Sequence, residues 1–320
     1  MLESTPAKPK VAISACLMGA PVRYNGGHKQ SAYCRDSLSK HFDFVNVCPE
    51  VAVGLGTPRQ PIRLVGAAGR VRAVGAVDPG LDATDALAAY AKHMARQLGD
   101  ICGYIFMQKS PSCGVERVKL YRENGTPQFD TASGVYAKVF CEHRPDVPVE
   151  EAGRLCDPVL RENFIVRVYA YAAWQQLLAQ GLSRQAMTRF HARYKYQLMA
   201  NDPLQYKALG RLLGTAGQAS LEAVAQRYFG GLMQALKRCA TRGSHTNVLM
   251  HICGYLRRSL SAADKAELSG LILQYRDGIV PLIVPLTLIK HLFRLYPDPY
   301  IAQQVYLQPH PENLSLRNAI

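Results

Sequence analysis

The hydrophobic period of this chain changes once, near residues 145–160, and that change limits the fold more than any other feature. Before Pro145-Asp146-Val147-Pro148, short β-rich runs alternate with turn signals: V-A-I-S-A-C-L (11–17), F-V-N-V-C (44–48), I-R-L-V (62–65), V-R-A-V (71–74) and Y-I-F-M (104–107). One amphipathic helix is expected among them, from about Ala83 to Leu98, with Asp82 or Thr84 as its cap. Such alternation implies an α/β domain with a mostly parallel sheet. Ligands of such sheets bind beyond the carboxyl ends of the strands.

After the change, helical spacing takes over. Asp157-Pro158 reads as a cap with proline at the first helical position, opening a helix that ends at Gly181. Ser183 starts a second, ending at Asn201-Asp202-Pro203, and Leu204 to Leu213 makes a short third. Ser220 opens a long one, the run after Ser244 another, and Ser261 with Asp264 resembles a capping box. Pro285 opens the last, through Leu295. The expectation is two domains, residues 1–150 as α/β and residues 151–320 as all-α. No fixed-period repeat interrupts either.

Composition narrows the compartment. The first ten residues hold no apolar core and carry an acid, and no run reaches the ~18 apolar residues that a spanning helix needs. A cytoplasmic protein without a membrane partner is expected. Nine cysteines is an odd number for a disulfide framework, so reduced thiols or metal ligands fit better. Charge is uneven: residues 1–160 hold 19 Lys and Arg against 16 Asp and Glu, net +3, and residues 161–320 hold 19 against 8, net +11. A basic helical half suits a polyanionic partner, because cations that neutralise phosphates release counterions.

Three cysteines fall just after apolar runs: Cys16 in S-A-C-L-M-G, Cys48 in C-P-E and Cys113 in S-P-S-C-G. If those runs are strands of one sheet, the thiols meet at one edge. The glycines after Cys16 let the backbone approach a bulky inorganic group, and Pro49 fixes a turn between Cys48 and Glu50. Zinc sites commonly use C-x2-C pairs, which are absent here, and separations of 32 and 65 residues suit a site assembled from separate strand ends. An iron-sulfur cluster is the stronger reading, with three ligands leaving one iron open as a Lewis acid. Cys34 sits in a polar loop segment, Cys102 follows the helix as a core residue, and Cys141, Cys156, Cys239 and Cys253 read as structural.

Together, S-A-C-L-M-G with R-Y-N-G, C-P-E and S-P-S-C-G resemble the thiouracil desulfidase (TudS-like) family over roughly residues 8–150. The resemblance implies a 4Fe-4S cluster bound by Cys16, Cys48 and Cys113, and a non-redox removal of sulfur from a thiolated pyrimidine. Asn25 departs from the acid the family more often carries in R-Y-D-G. The second half resembles the YbgA-type domain through F-H-A-R-Y-K-Y-Q-L-M (190–199), H-T-N-V-L-M-H-I-C-G-Y (245–255), P-L-I-V-P-L-T-L-I-K-H (281–291) and the terminal L-R-N-A-I. Their fusion looks like the longer tRNA 4-thiouridine desulfidases (RudS-like), in which the helical part is taken to hold tRNA.

The implied reaction is hydrolytic: thiocarbonyl sulfur on the open iron, water adding to the ring carbon, and hydrosulfide leaving. Glu50 is the candidate to activate water or carry the proton, and Ser110 and Ser112 to position substrate or water, Ser110 foremost. Arg23, Tyr24 and Asn25 are candidates to bind the base. On the helical half Arg189 and Arg193, like His191 and Lys195, stand four apart and share a helix face, with Tyr194 and Tyr196 between them. Arg189, Arg193 and Lys195 are the expected RNA contacts; the tyrosines either stack on bases or belong to the core. Free thiouracil as substrate, and a non-catalytic RNA-binding iron-sulfur protein, are the alternatives. No obligate protein partner is visible in the sequence.

Overall fold

The computed structural model describes residues 8–67, 70–215 and 219–320, so residues 1–7 of the stretch read for an export signal lie outside it. The chain divides into two compact units between Cys156 and Asp157. The first unit is built on a four-stranded parallel sheet. Its strands are β1 (Lys10–Ser14), β2 (Asp43–Val47), β5 (Gly103–Phe106) and β8 (Val149–Glu151), in the order β2-β1-β5-β8. Registers Val11↔Phe44, Val11↔Gly103 and Tyr104↔Val149 are all parallel. Val11, Ala12, Ile13, Tyr104, Ile105 and Phe106 are wholly buried, which is why these two strands read as unbroken apolar runs rather than alternating ones.

A second sheet holds β3 (Ile62–Ala67), β4 (Arg70–Gly75), β6 (Val118–Tyr121) and β7 (Pro127–Ala132), in the order β4-β3-β6-β7. The runs at 62–65 and 71–74 belong here, as an antiparallel pair outside the parallel sheet. So few residues separate them that no crossover connection fits, and only a hairpin can form. Helix α1 (Pro49–Ala52) follows β2, and α2 (Thr84–Gln97) is the helix that apolar spacing predicts. Helix α3 (Val135–His143) has no such signal in the sequence reading. Ile62, Leu64, Ala73, Val118 and Leu120 of the second sheet pack with Leu87 of α2 and Val135 of α3. On its other side α3 sets Tyr136 and Phe140 edge-on against the stacked rings of Tyr104 and Phe106, at 5.1–6.3 Å.

The second unit is helical: α4 (Pro158–Gln180), α5 (Arg184–Asn201), α6 (Pro203–Thr215), α7 (Leu221–Lys237), α8 (Arg242–Cys253), α9 (Ala262–Arg276), α10 (Ile283–Leu295) and a short α11 (Pro299–Ala302). Side-chain caps set the starts of α4, α5, α7 and α9. Asp157 accepts from the amides of Val159 and Leu160, Ser183 from Ala186, Ser220 from Ala223, and Ser261 and Asp264 form a reciprocal box. Two starts lie earlier than expected. Thr241 and Ser244 form a second reciprocal box, so Ser244 is the third residue of α8 rather than its cap. Pro285 is the third residue of α10, where no helical hydrogen bond is lost. Trp174 of α4 stacks on Phe229 at 5.3 Å, and Tyr196, Val248, Ile272 and Ile289 join α5, α8, α9 and α10 in one core. No helix among the described residues is long and apolar enough to cross a membrane.

Candidate active site

Because β1 lies between β2 and β5 and all three run parallel, their carboxyl ends share one edge. Cys16, Cys48 and Cys113 all lie there, lining one cavity of about 280 Å³. Cys16 sits in a tight turn (Ala15–Met18) that Gly19 closes with φ +97°, and its carbonyl accepts from the Lys29 amide at 3.0 Å. Cys48 takes the extended backbone of the residue before α1, and its thiol, which does not cap that helix, lines the cavity with the Val22 carbonyl at 3.9 Å. Cys113 lies in the loop after β5. Ser14, at the end of β1, ties that loop down by accepting from the Met107 amide at 3.0 Å.

The S-P-S-C-G loop is fixed by the start of α3. The amides of Gly134, Val135 and Ala137 donate to the carbonyls of Gly114, Pro111 and Ser112 at 2.8–3.0 Å, so first-turn donors of the helix are satisfied by the thiol-bearing loop. The approach is close enough that a Cβ on Gly134 would stand 2.6 Å from the Ser112 carbonyl. Only glycine fits. Inside the loop, Ser110 Oγ accepts from the Cys113 amide at 3.1 Å and so sets where the thiol stands.

All three thiols are harder to ionise than an ordinary cysteine. Burial, then the neighbouring Cys48, pushes Cys16 up to about 11; burial raises Cys48, with Glu50 adding to it; burial, then Glu50, pushes Cys113 well up. A thiol kept protonated in this way is a poor free nucleophile, and a bound cation would supply the charge that a thiolate needs here. Among the described residues no three His, Cys, Asp or Glu side chains close on a single metal-ion position.

Glu50 stands at the centre of the polar wall. Arg59 donates to its Oε2 from Nε at 3.0 Å and Nη2 at 2.5 Å, and Ser112 Oγ donates to its Oε1 at 2.5 Å. Ser112 Oγ lies 3.0 Å from Ser110 Oγ. With its proton on Glu50, Ser112 can only accept from Ser110, giving a directed chain from Ser110 through Ser112 to the carboxylate. Ser112 is wholly buried and Ser110 half-buried, so the chain runs from the more open hydroxyl inward. Arg59 also reaches the carbonyls of Val22 and Gly56, at 3.0 and 2.7 Å, stitching three loops together.

Of the candidates for base binding, Arg23 and Tyr24 line the cavity, with the Arg23 guanidinium 5.6 Å from the Tyr24 ring. Asn25 does not line it: its Oδ1 accepts from the Gly27 amide at 3.1 Å and shapes the turn. Amide and carboxylate serve that turn alike. Arg189 and Arg193 are exposed on α5, and Lys195 is half-buried over the rings of Tyr196 and Tyr300 at 5.0 and 5.6 Å. Tyr194 and Tyr196 are core residues, at 3% and 1% exposure, so neither is open to a base. His191 stacks on Tyr206 at 5.1 Å and bonds the Tyr228 hydroxyl, with its basicity lowered by burial. Arg59 and Ser14 are site residues that sequence reasoning missed. Neither carries a local signal, since an arginine in a T-P-R-Q loop and a serine at a strand end are ordinary.

A family model described as 2-thiouracil desulfurase matches residues 11–152, and one described as a protein of unknown function (DUF1722) matches residues 195–311. The uncharacterized protein YbgA of Escherichia coli (strain K12) is 33% identical over 159 residues, which is 49% of this chain and 94% of that protein. The uncharacterized protein YbbK of Bacillus subtilis (strain 168) is 31% identical over 138 residues, 40% of this chain and 86% of its own length. Among solved structures, that of the 4Fe-4S-dependent thiouracil desulfidase TudS is 31% identical, covering 47% of this chain and 94% of that one, with a TM-score of 0.35.

Proposed function

The chain belongs to the 2-thiouracil desulfurase family through residues 11–152 and carries a DUF1722 region over residues 195–311, and on that premise we propose that it removes sulfur from a thiolated uracil, namely 4-thiouridine in tRNA. One observation carries the desulfidase reading: thiols from three separate strand ends share a cavity with Glu50 and two serines. The donor set fits a 4Fe-4S cluster. Cys16 and Cys113 are buried and Cys48 half-buried, all three line one cavity, and a thiolate that burial disfavours gains from a cationic partner. Cys16, Cys48 and Cys113 would hold that cluster. Bound there, it supplies an iron without a protein ligand, a Lewis acid with affinity for sulfur.

The chain's own residues then handle water and protons. The net change replaces C=S by C=O, taking up water and releasing hydrogen sulfide without electron transfer. Arg59 occupies Glu50 Oε2 and leaves Oε1 to receive the proton of the attacking water, directly or through Ser112. Ser110, at the open end of the chain, orients that water. Arg23 and Tyr24 close the outer wall, where a guanidinium and an aromatic ring suit the edge and face of a pyrimidine. The net charge of +11 over residues 161–320 supports RNA as the carrier of the base.

A second reading, turnover of free thiouracil, is supported by the same cavity, which is on the scale of a single base. Anaerobic protein incubated with bulk tRNA, beside a reaction on free 4-thiouracil, separates the two by nucleoside analysis and sulfide release. Loss of 4-thiouridine from tRNA is expected. Sulfide from the free base alone would overturn the tRNA assignment, and sulfide from neither would overturn the desulfidase.

A further inference from the structure

The second sheet of the first unit has one face in the core and another on which Val65 and Val74 are covered but Arg70, Lys119 and Phe129 are exposed. Ile62, Leu64, Ala73, Val118 and Leu120 face α2 and α3, so alternation turns their neighbours the other way. Registers Val65↔Arg72, Lys119↔Thr131 and Tyr121↔Pro127 place Arg72, Lys119 and Tyr121 on that opposite face. The same alternation puts Arg63, Arg70 and Phe129 beside them.

Two features of this face point to a ligand. The first is a groove of about 670 Å³ lined by Arg70, Arg72, Arg122 and Gln128, with Gly66 and a single acid, Glu123. Arg72 is held in place by Glu123 at 2.8 Å and Asp82 at 3.1 Å, whereas among the described residues Arg70 and Arg122 have no carboxylate partner. The groove is therefore ion-paired at one arginine and uncompensated at two. The second feature is Phe129. Its ring is fully exposed (109%) on edge strand β7, on the face that carries the groove residues Arg70 and Arg72, while its neighbour Gln128 turns the other way and its Nε2 donates to the Gly66 carbonyl at 2.7 Å. Nearby the Arg63 guanidinium lies 5.7 Å from the Tyr121 ring.

An exposed aromatic beside a cationic groove is the pairing that single-stranded nucleic acid requires: guanidinium forks for phosphate oxygens and a ring on which an unstacked base rests. An acidic peptide would use the arginines and leave Phe129 unexplained. We propose that the arginine-bearing face of the second sheet binds an unpaired stretch of RNA, with phosphates in the groove of Arg70 and Arg122 and a base stacked on Phe129. The inference deepens the tRNA reading, on which it rests. It assigns an RNA contact to the first unit itself, in addition to the basic helices.

The test uses the full chain, purified anaerobically, with bulk tRNA and polyglutamate as probes. Affinity is measured against salt concentration for the native protein, Arg70→Glu with Arg122→Glu, and Phe129→Ala. The arginine variant should weaken tRNA binding and reduce the slope of log affinity on log salt by about 1.4, at ~0.7 per single-strand phosphate contact. Phe129→Ala should weaken binding roughly 5- to 150-fold with the slope unchanged, as loss of one stacked base predicts. Sulfide release from free 4-thiouracil should stay at the native rate in both. Native affinity and slope in both variants, with native turnover of tRNA intact, would overturn the surface and leave the tRNA reading standing. Binding of polyglutamate in place of tRNA would overturn it in favour of an acidic peptide. A native protein that desulfurates the free base but neither binds nor changes tRNA would overturn the tRNA reading first, and this proposal with it.

Discussion

Among the described residues each unit buries an arginine-glutamate pair, and the pairs differ in what surrounds the carboxylate. In the first, Glu50 and Arg59 have side chains 14% and 6% exposed; in the second, Glu162 and Arg317 are at 10% and 4%. Both pairs are drawn from distant segments. Yet Glu50 passes its second oxygen to Ser112 in a cavity lined by thiols, while Glu162 accepts from Arg317 Nε at 3.0 Å, with His310 Nε2 at 3.9 Å. Arg317 also donates to the Tyr306 carbonyl at 2.6 Å, so the second pair fastens the last turn, Leu316–Asn318, to α4. Burial and pairing are common to both; what sets Glu50 apart is the serine chain and the thiol-lined cavity around it.

The widest gap between the pairs should open when the thiols are removed. Cys113→Ala is expected to take sulfide release to background and to remove the visible absorbance of anaerobically loaded protein. Retained turnover would reduce Glu50 to the same structural rank as Glu162. Next, Glu50→Gln should lower kcat by roughly 10²- to 10⁴-fold while the loaded protein keeps its absorbance, the range for loss of a general acid-base group. Glu162→Gln should leave kcat per folded molecule unchanged. Equal losses in the two variants would erase the distinction.

Stability should respond in the opposite sense. Arg317→Met strands the Glu162 carboxylate and should cost the helical unit about 3–5 kcal/mol, read as a fall in urea midpoint by circular dichroism. The smallest expected effect is on the acid side. His245 is buried against the Tyr306 hydroxyl at 2.8 Å, and burial, then Arg317 and Arg242, depress its pKa to about 3. The unfolded chain binds the proton first, so stability is whole above about 6.5 and falls as pH drops, by about 2 kcal/mol at pH 5. His245→Gln should shrink that loss, and an unchanged acid limb would show that another group, such as His310, dominates it.

Local chemistry explains what the sequence discloses. Asp157-Pro158, Ser183, Ser220 and the Ser261-Asp264 box are legible because a cap and its helix are adjacent in the chain. The thiols are legible because each follows an apolar run within a short motif of its own. Two edge strands are not, since β7 of the second sheet, P-Q-F-D-T-A (127–132), is exposed and without an apolar alternation, and β8 of the parallel sheet, V-E-E (149–151), is short and acidic. The Arg59-Glu50-Ser112 network is assembled from three loops, and no spacing rule links a T-P-R turn to a serine 53 residues later. The tyrosines of α5 read equally well as base stackers or core until their neighbours are known. Tyr194 lies against Phe190, and Tyr196 in the core shared with α8 and α10, which decides the matter.

The middle place of β1 also orders events in the life of the molecule. Cys48 and Cys113 are 65 residues apart, so an extended chain can hold them roughly 200 Å from each other, and only docking of β5 beside β1 closes that gap. A nascent chain emerging from the ribosome thus has no three-thiol mouth to offer until the parallel sheet is complete. On the proposed three-cysteine ligation, iron delivery would wait for tertiary structure, and acquisition of a cluster would report that the polypeptide has folded.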